Sequence, residues 1–382
     1  MEYAKNKLGF YITEYDEVNS RGELNSLADL QGINNEKYFQ ECQSNKNDIE
    51  LNRYRICRKG MFSYNKATSR NGEKISIAYR SGPDCLVSPS YHCFSIKDES
   101  LLTHEYLMMW FSRPEFDRYA RFHSWGSATE FFTFESMCET EINVPSLSFQ
   151  KQAVQEYNIL NSRIKNIEKQ LIKLEQVAMN LYKDWFVSFS HFGGKKPEEW
   201  KKENLGDFVE IKRGGSPRPI DEYLSTDGYR WLKISDATES DSPYILKIKE
   251  HIKKTGISRT VHLEAGNLVL SNSATPGLPK ILDVDTCIHD GWLYFPNLAL
   301  PRNFMYLYFK NERDKLVSNA NGSIFLNLKI DIVNKFPIVI PDKNTLDSFS
   351  NIIDPLFNHM LSLTRELYAL KKALKVLLIR IS

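Results

Sequence analysis

The chain contains no Cys-x-x-Cys pair, no Pro-Pro step and no Gly-x-x-x-x-Gly-Lys-Ser/Thr loop. Without that loop there is no P-loop nucleotide site, hence no ATPase or translocase of that type. The missing Pro-Pro excludes the Asp/Asn-Pro-Pro-Tyr/Phe tetrapeptide of amino-methyltransferases, and no glycine-rich strand-to-helix turn offers S-adenosylmethionine a seat. Pro83-Asp84 has the start of a nuclease Pro-Asp…Glu-x-Lys site, but no Glu-x-Lys follows within reach. His92, His104 and His123 lack metal-ligand spacing. The six cysteines (Cys42, Cys57, Cys85, Cys93, Cys138 and Cys287) have neither zinc-site nor disulfide-framework spacing, which fits free thiols in a reducing compartment. Apolar runs stay short of the ~18 residues a membrane span needs, and Met1–Lys7 is no signal peptide, so a cytoplasmic protein is expected. A net charge of +2 provides no global attraction for a polyanion, so any basic surface must be local. The 22 Phe, 19 Tyr and 6 Trp exclude disorder.

What is there in abundance is helix. Ser146 to Phe192 runs forty-seven residues without Gly or Pro. Within it Ala153, Tyr157, Leu160, Ile164, Ile167, Leu171, Leu174, Ala178, Leu181 and Trp185 fall at alternating steps of 4 and 3. That heptad seam is narrower than the stripe a globular helix buries, so it asks for one partner helix. The C-terminus repeats it at Phe349, Ile353, Leu356, Met360, Leu363, Leu367, Leu370, Leu374, Leu377 and Ile381, with Pro355 near the start, where it costs least. What precedes each seam also repeats. Val144-Pro145 matches Ile340-Pro341 and Gly126-Ser127 matches Gly322-Ser323 at an offset of 196, while Leu8-Gly9 matches Leu205-Gly206 at 197. The chain therefore reads as a tandem duplication of a globular unit followed by a long helix.

The expected division is a first domain over 1–147, a central helix over 148–190, a charged linker over 191–204, a second domain over 205–341 and a C-terminal helix over 342–382. Strands are expected at Tyr54–Ile56, Ile75–Tyr79, His92–Ile96, Phe208–Ile211, Tyr229–Ile234, Asn267–Ser271 and Gly291–Phe295. Helices are expected at Leu101–Phe111, Pro114–Phe122 and Phe304–Asn311, and Trp200 is expected to dock on a helix end or on the second domain. The fold class is α+β: two α/β domains separated by two long antiparallel coiled-coil helices, with an internal pseudo-twofold repeat.

Both units carry polar loops rich in cations, amides and hydroxyls. In the first, Tyr64, Asn65, Lys66, Arg70, Asn71 and Lys74 stand together. In the second, Lys212, Arg213, Ser216 and Arg218 surround Gly214-Gly215, where backbone comes close enough to bind a phosphate, and Lys233, Ser271, Asn272 and Thr275 supply further donors and acceptors. Ser318 to Ser323 is a third such stretch. Arg and Lys suit guanine edges and Asn suits adenine, so these are the candidate DNA-binding residues. Any one of these loops reads equally well as a solvated turn; recurrence in both units favours DNA.

Leu181-Tyr182-Lys183-Asp184-Trp185-Phe186-Val187-Ser188-Phe189, leading through Pro197-Glu198-Glu199-Trp200 to Leu205-Gly206-Asp207, resembles the central region of the specificity (S) subunits of type I restriction-modification enzymes. Gly215-Ser216-Pro217-Arg218 followed by Trp231-Leu232-Lys233-Ile234-Ser235-Asp236 resembles the opening of that family's second target recognition domain. Gly60-Met61-Phe62-Ser63-Tyr64-Asn65 resembles a motif of such domains. Their order around two long helices extends the resemblance over essentially the whole chain. It implies a non-catalytic subunit that chooses the DNA sequence, each domain binding one half of a bipartite double-stranded target while the helices set the spacer. Two methyltransferase (M) subunits and restriction (R) subunits are the implied partners, with no membrane. No cofactor is expected on this chain, because S-adenosylmethionine, ATP and Mg would serve the partners. The competing reading is a coiled-coil adaptor whose two domains bind proteins.

Overall fold

The computed structural model describes residues 4–42, 49–68, 72, 74–319 and 327–381. Packing divides the chain into two compact units, residues 1–162 with 371–382, and residues 163–370, so each long helix contributes a part to both.

In the first unit β1 (Ala4–Lys7), β2 (Ile12–Tyr15), β3 (Gln31–Ile33), β4 (Phe39–Glu41), β5 (Arg55–Cys57), β6 (Phe62–Asn65), β7 (Ile77–Tyr79), β8 (Cys85–Val87) and β9 (Tyr91–Ile96) precede α1 (His104–Phe111), α2 (Pro114–Phe122), α3 (Phe134–Cys138) and β10 (Glu141–Val144). The main sheet has the order β2-β9-β6-β7, all antiparallel. Its core joins Phe62, Tyr64 and Phe94 to Trp110, Phe111 and Phe116 of the helices.

The second unit holds two five-stranded sheets. Its elements are β11 (Lys201–Asn204), β12 (Lys212–Arg213), β13 (Leu224–Ser225), β14 (Tyr229–Leu232), α5 (Ile234–Thr238), β15 (Tyr244–Ile245), β16 (Glu250–Ile252), β17 (Val261–Leu263), β18 (Leu268–Ser271), β19 (Pro279–Leu282), β20 (Thr286–Ile288) and β21 (Trp292–Tyr294), then α6 (Arg302–Asn319), α7 (Ile330–Asn334) and β22 (Pro337–Ile340). The sheets run β12-β21-β18-β19-β15 and β13-β16-β14-β20-β17. The strand expected at Phe208–Ile211 is not formed: Leu205–Asp207 makes a 3-10 turn, Val209 N–H donates back to the Leu205 carbonyl, and only a single bridge joins Val209 to Leu298.

The duplication has a three-dimensional counterpart. β1 pairs antiparallel with β10, and β11 pairs antiparallel with β22. A 3-10 turn follows each first strand, at Leu8–Phe10 and at Leu205–Asp207. Leu8 N–H donates to the Thr140 carbonyl and Leu205 N–H to the Phe336 carbonyl. A Cβ on Gly9 would lie 2.8 Å from the Cys138 Cβ, and one on Gly206 would lie 2.9 Å from the Asn334 Oδ1. The repeated Leu-Gly is thus a buried leucine plus a glycine against which the end of α3 or α7 packs. Gly322-Ser323, the repeat of Gly126-Ser127, lies outside the described residues.

Pro145 and Pro341 stop the strands just before the long helices α4 (Leu147–Phe186) and α8 (Lys343–Arg380). Asp342 caps α8 by accepting from Thr345 N–H at 3.0 Å. Every expected seam position on both helices is buried or half-buried. In the second unit the pair is antiparallel: Phe349, near the start of α8, meets Trp185 and Phe186 at ring-centroid distances of 5.4 and 4.8 Å, whereas Arg163 pairs with Glu366 at 2.7 Å farther along. Trp200 is buried against Phe186, and its indole N–H donates to Asp342. In the first unit Leu378 and Ile381 join the core beside Ala153, and Leu377 is buried too. Ile379, of the same apolar run, is 53% exposed. No helix among the described residues is long and apolar enough to cross a membrane.

Candidate nucleic-acid interface

The second unit builds a cleft of about 890 Å³ where the loop after β12 faces the turns after β14, β18 and β20. Ser216, Arg218, Lys233 and His289 line it together with Trp231 and Ala274. Asp290 organises one wall. Its carboxylate accepts from the Ser216 hydroxyl at 2.8 Å and from Arg218 Nη2 at 3.2 Å, while its carbonyl accepts from Arg213 Nε and from Asn272 Nδ2. Burial pushes the Asp290 carboxyl up, but the Ser216 hydroxyl and the Arg213 and Arg218 charges outweigh it and hold the group below the usual carboxylate range. It is a fixed anion at neutral pH.

Burial holds the His289 imidazole below its ordinary pKa, so at pH 7 it is the neutral ring. Gly291 N–H donates to its Nδ1 at 2.8 Å, which leaves the proton on Nε2 and makes that nitrogen a donor. A Cβ at residue 291 would sit 2.2 Å from His289 Cε1, so glycine is what lets the ring seat here. Arg218 keeps its side chain 80% exposed despite the contact with Asp290, and Lys233, bonded to Glu250 at 2.6 Å, is 42% exposed. Both cations are accessible to a polyanion. Ala274 takes a left-handed conformation at φ 58°, a strained setting of the kind that concentrates at functional loops.

Other expected site residues are placed differently. Tyr64 is fully buried, its hydroxyl donating to the Phe132 carbonyl, because β6 lies between β7 and β9 with both faces covered; it is a core residue. Ser271 is also fully buried, donating to the Thr275 carbonyl and accepting from Leu278 N–H, so Ser271 and Thr275 hold a turn together. Asn272 is 3% exposed and supports the cleft from behind. Asn65 accepts from Ala67 N–H in a local turn, Lys74 pairs with Glu36 at 2.7 Å, and Lys212 pairs with Glu210 at 2.7 Å on an exposed edge. Lys66 lies 5.7 Å over the Phe131 ring. Arg70, Asn71 and residues 320–323 lie outside the described residues. The structure thus gathers Ser216, Arg218 and Lys233 in one cleft with Trp231 of the same motif, and adds His289 and Asp290, which no local pattern marks. In the first unit it adds Phe122, at the end of α2, and Trp125, which bridges to Phe131; they are 76% and 72% exposed.

Residues 197–372, which contain this cleft, match the sequence model of the type I restriction modification DNA specificity domain. The chain is also 24% identical over 293 residues to the type I restriction enzyme MjaIX specificity subunit of Methanocaldococcus jannaschii, covering 72% of this chain and 67% of that protein. The similarity is therefore to type I restriction-modification specificity proteins, and the match to the domain model falls in the second half of the chain. Its fold agrees: the type I restriction-modification S subunit from M. genitalium superposes with a TM-score of 0.62 at 13% identity, covering 99% of this chain and 95% of that one. The cleft presents two accessible cations, an imidazole and a half-exposed carboxylate. Among the described residues no group of His, Cys, Asp and Glu side chains is arranged to hold a metal ion.

Proposed function

We propose that this chain selects the DNA target of a type I restriction-modification complex, each globular unit binding one half of a bipartite sequence and the paired long helices fixing the spacer. The observation that carries this is the cleft of the second unit, where Arg218 and Lys233 stand exposed beside a hydrogen-bonding floor inside the segment that matches a DNA specificity domain. The cations supply affinity through phosphates, and Ser216 and the His289 Nε2–H supply contacts of the kind that read base edges. In this reading the chain performs no chemistry. Two methyltransferase subunits dock on its helices and use S-adenosylmethionine, while restriction subunits bring ATP and Mg.

The complex assembled with its methyltransferase tests the cleft. Arg218→Ala and Lys233→Ala should each weaken DNA binding and reduce the slope of log affinity against log salt by about 1. An unaltered slope in both variants would show that neither side chain meets a phosphate.

A further inference from the structure

Arg113 is the odd charge of the first unit. It stands between α1 and α2 at 6% exposure, its guanidinium carbon 4.5 Å over the Trp110 ring. Its Nε and Nη1 are buried and meet no acceptor among the described residues. Burial pulls its pKa down from the ordinary value. Together with Trp110, Phe116, Tyr119, Glu115, Thr140, Glu139 and Glu141 it lines a pocket of about 290 Å³. Removing an unpaired cation from water is costly, and such a group normally has a partner or is replaced by an apolar side chain.

The three acids nearby bond neither its Nε nor its Nη1, although the Glu115 charge partly offsets the burial. Glu115 bonds Arg118 at 3.0 Å, Glu139 is paired with Lys7, and Glu141 lies opposite that same lysine across the β1–β10 ladder. The floor is therefore a buried cation whose Nε and Nη1 lack an acceptor, while the rim is acidic but engaged. The N-terminus of α2, starting at Pro114, adds positive potential to the same spot. An anion belongs on the floor. A DNA backbone would bring a row of phosphates against Glu115, Glu139 and Glu141, whereas a single carboxylate flanked by basic residues satisfies floor and rim together.

We propose that the Arg113 pocket receives an aspartate or glutamate side chain of a partner protein, with basic neighbours of that residue meeting the glutamate rim. This site is separate from the DNA cleft and stands or falls independently of it.

The thermal midpoint of the full chain tests the site, compared in sodium acetate and in sodium chloride at equal ionic strength. Wild type should gain about 2 °C in acetate. Arg113→Met should melt at or above wild type in chloride, because it removes an unpaired buried charge, and should show no acetate gain. Should Arg113→Met fail to fold, Arg113→Lys should lose at least half of the acetate response, because an ammonium lacks the planar fork. A wild type indifferent to acetate, or a variant that responds as wild type does, overturns the proposal. An equal or larger gain in inorganic phosphate overturns the carboxylate assignment in favour of a phosphate-bearing ligand.

Discussion

Asp290 ties the cleft together through side chain and backbone at once, which makes it the residue whose change is most informative. Asp290→Asn keeps the shape but removes an anion from beside Arg213, Arg218 and His289. Non-cognate DNA should then bind more tightly, because a repulsion against phosphates is gone, while the ratio of cognate to non-cognate affinity falls several-fold as Ser216 and Arg218 lose their fixed partner. Competition binding with matched and mismatched duplexes measures both, and a ratio that rises would contradict the scaffold role. At this scale the sequence was legible only where chemistry is local. Arg218 and Ser216 announce themselves beside Gly214-Gly215, whereas His289 and Asp290 lie more than seventy residues away and look ordinary in their own neighbourhood. Tyr64 and Ser271 have the composition of reading loops, but both end in sheet interiors, a fact set by strand pairing.

Helices were legible at the scale of elements because a heptad repeats its own evidence every turn or two. Both seams follow from that pattern and from the chain's need to bury it, whereas the antiparallel sense of their pairing in the second unit is seen only in the contacts of Phe349 with Trp185 and Phe186 and of Arg163 with Glu366. Where the second unit joins in, the buried stripe widens to include Tyr182 and Phe186, which pack on Phe304 and Phe349. Phe349→Ala should therefore cost about 3–5 kcal/mol of stability, as a large aromatic truncated in a closed core does. Chemical denaturation gives the value, and a loss below about 1 kcal/mol would mean that the helix ends are not packed as described. Strands of two to four residues carry too little alternation to declare themselves, and Phe208–Ile211, which has the residues of a strand, is diverted by the 3-10 turn before it.

The molecule as a whole is one plan written twice, with shared supports and different reading surfaces. The supports are the β1–β10 and β11–β22 ladders, the glycine packed against the end of a short helix, and the proline that releases the long helix. The surfaces differ: a four-stranded sheet dominates one unit and two five-stranded sheets make the other. On the proposed function that contrast is what two readers of different half-sites require, and it explains why repeats were visible only at the supports. The most direct test exchanges residues 205–341 for the corresponding segment of another specificity subunit and maps adenine methylation across the genome of a host carrying the partner methyltransferase. The account predicts a new motif in which one half and the spacer length are retained and the other half is replaced. A change in both halves, or an unchanged motif, would contradict it.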